Sequence, residues 1–311
     1  MDSQKENFFK IFDSIDFRHI NDHPNILVAA KFWSHERYSA AETFYKFMRR
    51  IDDLIDDYKA SHKTITQPDK KEFVRKVNDW LKMIIDSGDH NPFREEMIRA
   101  IQKFSIPLWP LEDFAQAMIY DIQNDGFPTL EAFLGYSRGA SVAPASIFVH
   151  LNGLVKKNGR LEPPGFDVRE AAMPCAIFSY LVHIIRDFQK DQLNNLNYFA
   201  DDLIARYRMT RFDLKEIAYG HPVSDSFRKL IQEYYSLADE YRMKTVDVIN
   251  KIRPLHEPRY QLSLEIIFNL YLMVFEKIDV VKGNFKTAEL NPTPEETRQR
   301  VYDTIINFIK E

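Results

Sequence analysis

Aspartates set one helical turn apart are the residues of this chain best suited to chemistry. In Arg49-Arg50-Ile51-Asp52-Asp53-Leu54-Ile55-Asp56-Asp57, Asp52 and Asp56 are four residues apart, as are Asp53 and Asp57. The spacing returns 135 residues further on, in Arg186-Asp187-Phe188-Gln189-Lys190-Asp191, between Asp187 and Asp191. On a helix such residues stand above one another on one face. Like charges held that way repel by a few tenths of a kcal/mol, so the rows require a cation. Arg49, Arg50, Arg186 and Lys190 are at hand. Mg²⁺ is the other candidate, because it takes oxygen ligands and is shared with substrate phosphates. Two such helices facing each other could hold ions bridged by a diphosphate, with arginines on its outer oxygens. Departure of that diphosphate leaves a carbocation, which aromatic faces shield without attacking it. The site should be deep, dry and aromatic.

Most acidic clusters on helices are simply solvated faces. Three features argue otherwise here: the aspartates flank an apolar stripe, arginine precedes them both times, and the spacing recurs. A di-iron carboxylate bundle would need Glu-x-x-His pairs. None occurs, since Glu216 is followed three residues later by Tyr219, and Glu265 by Phe268. There is no Gly-Lys-Ser/Thr phosphate loop, no Gly-x-Gly-x-x-Gly after a strand and no nucleophile elbow.

The elements that position these residues read as helices throughout. Ile51, Leu54, Ile55 and Tyr58 follow the helical period, as do Leu181, Ile184, Ile185 and Phe188. Only 9 glycines are present, too few and too irregular for a sandwich or barrel. The pattern predicts helix over 25–60 with an interruption near Ser34, then 69–87, 92–104 and 110–123. Thr129 is the expected N-cap of a helix running toward Leu151 and bent at Pro144. Asn158–Gly165 is the clearest loop. A long helix over 167–193 follows, bent at Pro174. Further helices are expected at 199–207, 211–218, 223–252, 258–282 and 294–310. If the two aspartate rows form one site, the loop between them lies inside a single domain spanning 1–311.

A chain of 311 residues with 45% hydrophobic residues can bury a large core, and its 24 Phe and 15 Tyr can line a cavity. The formal net charge of -4 offers no footprint for nucleic acid. A single cysteine, Cys175, excludes an internal disulfide framework and argues against thiolate zinc. Met1–Lys10 is unlike a signal peptide, and no uninterrupted apolar run reaches the ~18 residues of a membrane span. A cytoplasmic protein is expected, and a peripheral contact with a membrane is compatible with this composition. The oligomeric state is not readable.

Residues Tyr45–Asp56 resemble the first aspartate-rich motif of the squalene and phytoene synthases, the head-to-head prenyltransferases. Gly135–Val142, in which Tyr136 precedes small residues, is similar to that family's mid-chain helix. Arg186-Asp187 through Asp191, followed by Tyr198-Phe199, is similar to its second motif. The similarity runs in order over about residues 24–205. It implies an all-α isoprenoid-synthase bundle around a central cavity, with prenyl diphosphates as substrates and Mg²⁺ as cofactor. Two allylic diphosphates, farnesyl or geranylgeranyl, would condense through a cyclopropyl diphosphate to a squalene-, hydroxysqualene- or phytoene-type product. By position, Asp52, Asp56, Asp187 and Asp191 would bind metal, and Arg49, Arg50, Arg186 and His183 would meet the substrate. Tyr45, Tyr136 and Tyr198 would line the reacting region. Whether NADPH serves a later reduction is open.

The chain also departs from that pattern. His183 replaces the usual Asn one turn before Asp187, Tyr180 replaces Gln and Leu196 replaces Arg. Loss of a diphosphate-binding Arg removes charge-assisted bonds of roughly 1.5–3 kcal/mol each. Two other outcomes therefore stand beside condensation. One is terpene-synthase-like cyclisation or hydrolysis of a single prenyl diphosphate. The other is a non-catalytic relative acting in assembly or lipid binding.

Overall fold

Two helices bring the aspartate rows into the body of the protein, and the other elements enclose them. The computed structural model describes residues 2–22, 25–61, 65–85 and 92–310. Its elements are α1 (Asp2–Asp13), a 3-10 turn (Phe17–Asp22), α2 (Asn25–Ala30), α3 (His35–Ser61), α4 (Gln67–Ile85), α5 (Pro92–Phe104) and α6 (Trp109–Gln123). Then come α7 (Leu130–Ser137), a π segment (Arg138–Val142), α8 (Ala143–Gly153), β1 (Val155–Lys157), β2 (Arg160–Glu162), α9 (Val168–Arg186) and α10 (Phe188–Leu193). The chain finishes with α11 (Asp201–Arg206), α12 (Arg211–Ala218), α13 (Asp225–Ile252), α14 (Pro258–Lys277), α15 (Thr287–Leu290) and α16 (Pro294–Lys310). The all-helical expectation holds.

Helix α3 carries the first row because its apolar face repeats at helical spacing. Ala41, Phe44, Phe47, Met48, Ile51 and Ile55 are buried along it. The break before it falls at 31–34, close to the expected interruption. Asp167 caps α9 by accepting from the backbone N–H groups of Arg169 and Glu170. The α9 helix passes through Pro174 without ending, and its most extensive packing is against α13. Among the described helices it is the one long and apolar enough to cross a bilayer, but half of that stretch is buried against the fold.

Three local features differ from expectation. The long helix expected over 167–193 stops at Arg186, and Asp187 sits at the junction with φ -90 and ψ 2. Hydrogen bonding nonetheless continues: the Asp187 N–H donates to His183 O and the Asp191 N–H to Asp187 O, both at 2.8 Å. The one-turn stacking of the two aspartates therefore survives. The expected loop at 158–165 opens as a hairpin, with Val155 opposite Glu162 and Lys157 opposite Arg160. Asn158 and Gly159, at φ 49 and 80, make the left-handed pair such two-residue turns demand. The N-terminal α1 was not anticipated. Its Phe8 and Phe12 are buried in a second core formed with α2, α14 and α16. The stretch expected to link α4 and α5 at Ser87-Gly88-Asp89 lies outside the described residues.

Thr129 caps α7 as expected, accepting from Ala132 N–H. Between α7 and α8 the helix widens into one π turn, in which the Ala143 N–H reaches Arg138 O. Pro144, which has no N–H to give, follows directly. Gly139 in this turn lies against α6: a Cβ there would stand 2.5 Å from Asp113 O and 2.7 Å from the Ala117 Cβ. Replacing Gly139 by Val should cost at least the ~1–3 kcal/mol of core overpacking, read as a lowered denaturation midpoint. An unchanged midpoint would refute this close approach.

Candidate active site

A cavity of about 970 Å³ runs through the helices. Its lining includes both aspartate rows, as Asp52, Asp56, Asp187 and Asp191, with Arg49, Arg186 and Lys190. Tyr45, Tyr136, Tyr198, Tyr180 and His183 line it as well. All but one of the candidate residues therefore meet in one place.

The exception is Arg50. One residue beyond Arg49, it is turned by about 100° around the helix. It projects onto the Phe93 ring at 4.6 Å and toward Trp80 at 5.7 Å. It is exposed and is not among the lining residues. The structure thus places Arg50 outside the cavity lining that gathers the other candidates. Arg50→Ala should leave turnover unchanged and cost about 0.5–1 kcal/mol of stability through the lost ring contacts. A large fall in turnover would contradict this placement. Asp57 is likewise exposed, and Asp53 is held by Arg49 at 2.7 Å.

The two rows are unequal electrostatically. Arg49 also reaches Asp52 at 3.1 Å. Burial nevertheless raises the Asp52 carboxyl to about 6 against the pull of Arg49, with Asp121 and Asp53 pushing the same way as burial. Asp56 rises to about 8, through burial and then the charges of Asp52 and Asp121. Asp191 also rises to about 8, through burial and then the charges of Asp187 and Asp56. That last influence is telling, because Asp56 belongs to the other row. The carboxylates feel each other across the cavity. Asp187 behaves oppositely: burial opposes ionisation, but two bonds from Arg186, at 2.9 and 2.6 Å, hold its carboxyl below the ordinary value.

These carboxylates fit a divalent cation of the Mg²⁺ type in a particular way. The side-chain carboxylates of Asp56 and Asp191 have no hydrogen bond or ion pair among the described residues, so their oxygens are available. No group of three or more candidate ligands converges on one point among the described residues. Such a donor set suits an ion that keeps waters and is completed by substrate phosphate rather than one caged by protein alone.

Aromatic side chains form the wall beside the rows. The Tyr136 and Tyr180 rings lie 6.3 Å apart, and burial lifts both phenols, with that of Tyr198, well above the ordinary range. They are neutral at any working pH. Tyr180 stacks on Phe133 at 5.6 Å and meets Tyr198 edge-on at 6.2 Å. His183 packs edge-on against Tyr271 at 5.1 Å. Burial, and then Arg186, lower its imidazole to about 3, so it is uncharged. Its Nε2 is buried without a hydrogen bond among the described residues. Leu196 packs in the core, and its backbone N–H reaches Asp191 O at 2.8 Å.

Sequence reasoning missed a buried ion pair behind the first row. The Lys59 Nζ donates to the Asp121 carboxylate at 2.6 Å and to its carbonyl at 2.9 Å. Both side chains are nearly buried, at 11% and 12% exposure. A signal existed: Asp121 interrupts the otherwise apolar face of α6 formed by Phe114, Ala117 and Met118.

Comparison with known proteins gives a consistent picture. The model of the squalene/phytoene synthase family matches residues 22–297. Phytoene synthase 2 of Zea mays is 23% identical over 179 residues, covering 58% of this chain and 42% of that protein. The phytoene synthase of Daucus carota is 21% identical over 197 residues, covering 63% and 46%. The matched part thus spans less than half the length of these curated relatives. Among solved structures, a dehydrosqualene synthase in complex with a ligand superposes with a TM-score of 0.69 at 14% identity, covering 98% of both chains. A squalene synthase from Alicyclobacillus acidocaldarius gives 0.60 at 13% identity, covering 86% of this chain and 89% of that one. At such identities the structural likeness speaks for the fold.

Proposed function

The chain belongs to the squalene/phytoene synthase family, and from that premise we propose that it joins two allylic prenyl diphosphates head to head in a Mg²⁺-dependent reaction. The observation that carries this reading is the meeting of both aspartate rows in one aromatic-walled cavity, close enough for Asp56 to act on Asp191. In the proposed mechanism Asp52, Asp56, Asp187 and Asp191 hold the metal. When bound, Mg²⁺ would neutralise the diphosphate and make it a better leaving group.

Arg49 and Arg186 then have a second task. Each is tied to a carboxylate and lines the cavity, so each can present its remaining guanidinium N–H groups to diphosphate oxygens. Neutral phenols serve the organic half. Tyr45, Tyr136, Tyr180 and Tyr198 surround the allylic cation with electron-rich faces and carry no phenolate to trap it. Enclosure by the helices keeps water from the cation until the second substrate's double bond takes it.

Purified protein incubated with labelled farnesyl or geranylgeranyl diphosphate and Mg²⁺ should release diphosphate. It should form a product with twice the carbon count of the substrate. No diphosphate release from either substrate would sink the proposal. A product no larger than the substrate would replace condensation by cyclisation or hydrolysis of one diphosphate.

A further inference from the structure

Building on the reading of the cavity as a prenyl diphosphate site, we infer that Lys190 is a further substrate-binding residue, whose ammonium group pairs with the diphosphate held at the Asp187–Asp191 row. Four Lys and Arg side chains line the cavity: Arg18, Arg49, Arg186 and Lys190. Three of them are already committed to carboxylates. Arg18 is tied to Asp16 at 3.2 Å, Arg49 to Asp52 and Asp53 at 3.1 and 2.7 Å, and Arg186 to Asp187 at 2.6 Å. The Lys190 ammonium has no hydrogen bond or ion pair among the described residues.

That isolation has a local cause. Asp187 is the N-cap position of α10 and Lys190 stands three residues on, so the two side chains are neighbours on one helical face. An ion pair at that spacing would be ordinary. Both Asp187 oxygens are instead taken by Arg186, at 2.9 and 2.6 Å. Lys190 is left exposed where it lines the cavity, close enough for its charge to favour ionisation of both Asp187 and Asp191. No other Lys or Arg follows until Arg206, which faces Glu233 at 3.7 Å.

A charge so placed serves a ligand rather than the fold. It closes no ion pair, and a diphosphate lodged at the Asp187–Asp191 row meets three unspent N–H donors. Two prenyl diphosphates bring more negative charge than Arg49 and Arg186 can match, since those guanidiniums share their N–H groups with Asp52, Asp53 and Asp187. Lysine meets phosphate as a point charge on a flexible stem, with no fixed fork to align. At an exposed position that attraction is screened by salt, which gives it a signature of its own.

Calorimetric binding of farnesyl and geranylgeranyl thiolodiphosphate at saturating Mg²⁺ tests this, on the wild type, Lys190→Gln and Lys190→Arg. For whichever ligand binds the wild type, Lys190→Gln should bind about tenfold more weakly in low salt, the loss of one charge-assisted contact. Lys190→Arg should keep most of the affinity. The gap between wild type and Lys190→Gln should narrow as NaCl is raised, which a defect of shape or packing would not do. Lys190→Gln binding as tightly as the wild type in low salt overturns the inference and leaves the prenyl diphosphate reading standing. So does a loss that Lys190→Arg shares in full, or one that salt does not diminish. Failure of both ligands to bind the wild type overturns both readings. Should Lys190→Gln not fold, Lys190→Met, which keeps the unbranched stem, takes its place.

Discussion

Asp56→Asn and Asp191→Asn are expected to cripple turnover while making the protein more stable at pH 8. Each removes a metal-binding oxygen charge from the site that ionises the substrate, a loss on the order of 10²–10³-fold in kcat by comparison with deletion of other preorganised electrostatic groups. Stability should move the other way. Both carboxyls are raised from 3.8 to about 8 in the folded protein. Between those values the folded chain holds protons that the unfolded chain has released, so metal-free stability falls as pH rises from about 4 through 8. Asparagine has no proton to lose. Denaturation midpoints from pH 5 to 9 should therefore fall less steeply in either variant than in the wild type, and be higher than wild type at pH 8. Mg²⁺ with a diphosphate analogue should raise the wild-type midpoint at pH 8, because a ligand that binds only the folded form stabilises it. A variant less stable than wild type at pH 8, or one retaining full turnover, would contradict the account.

Lys59→Met is expected to be the most damaging single change to stability outside the cavity. It would strand the Asp121 carboxylate at 12% side-chain exposure, without its partner at 2.6 Å. Breaking a buried pair from one side typically costs about 3–5 kcal/mol, because the remaining charge is uncompensated. Replacing both partners, as Lys59→Met with Asp121→Leu, should restore most of that loss. Urea unfolding of the two variants measures the difference directly. The single variant should also impair turnover, since Lys59 is one of the charges that lowers Asp56. If single and double variants are equally destabilised, the pair is not acting as a coupled unit.

Much of this was readable before any tertiary structure. Helical backbone geometry is local, so the four-residue spacing by itself placed Asp52 over Asp56, and Asp187 over Asp191. That stacking persists across the break at Asp187 because two successive backbone hydrogen bonds maintain it. The helix over 92–104 and the N-cap at Thr129 were equally legible, one from its period and the other from a side chain that accepts from the helix. The hairpin after α8 has a local signal in Asn158-Gly159, a pair that adopts the left-handed two-residue turn between short strands.

Other features depended on which faces come together. That the two rows share a cavity, that Arg50 leaves it while Arg49 enters, and that Asp121 stands behind Asp52 are facts of packing between segments distant in the chain. The chain order alone determined a helical protein with two rows of repelling carboxylates and the aromatic supply to enclose them. Tertiary structure alone decided that those rows confront each other, because periodicity sets the face of each helix but only long-range burial selects the face it meets.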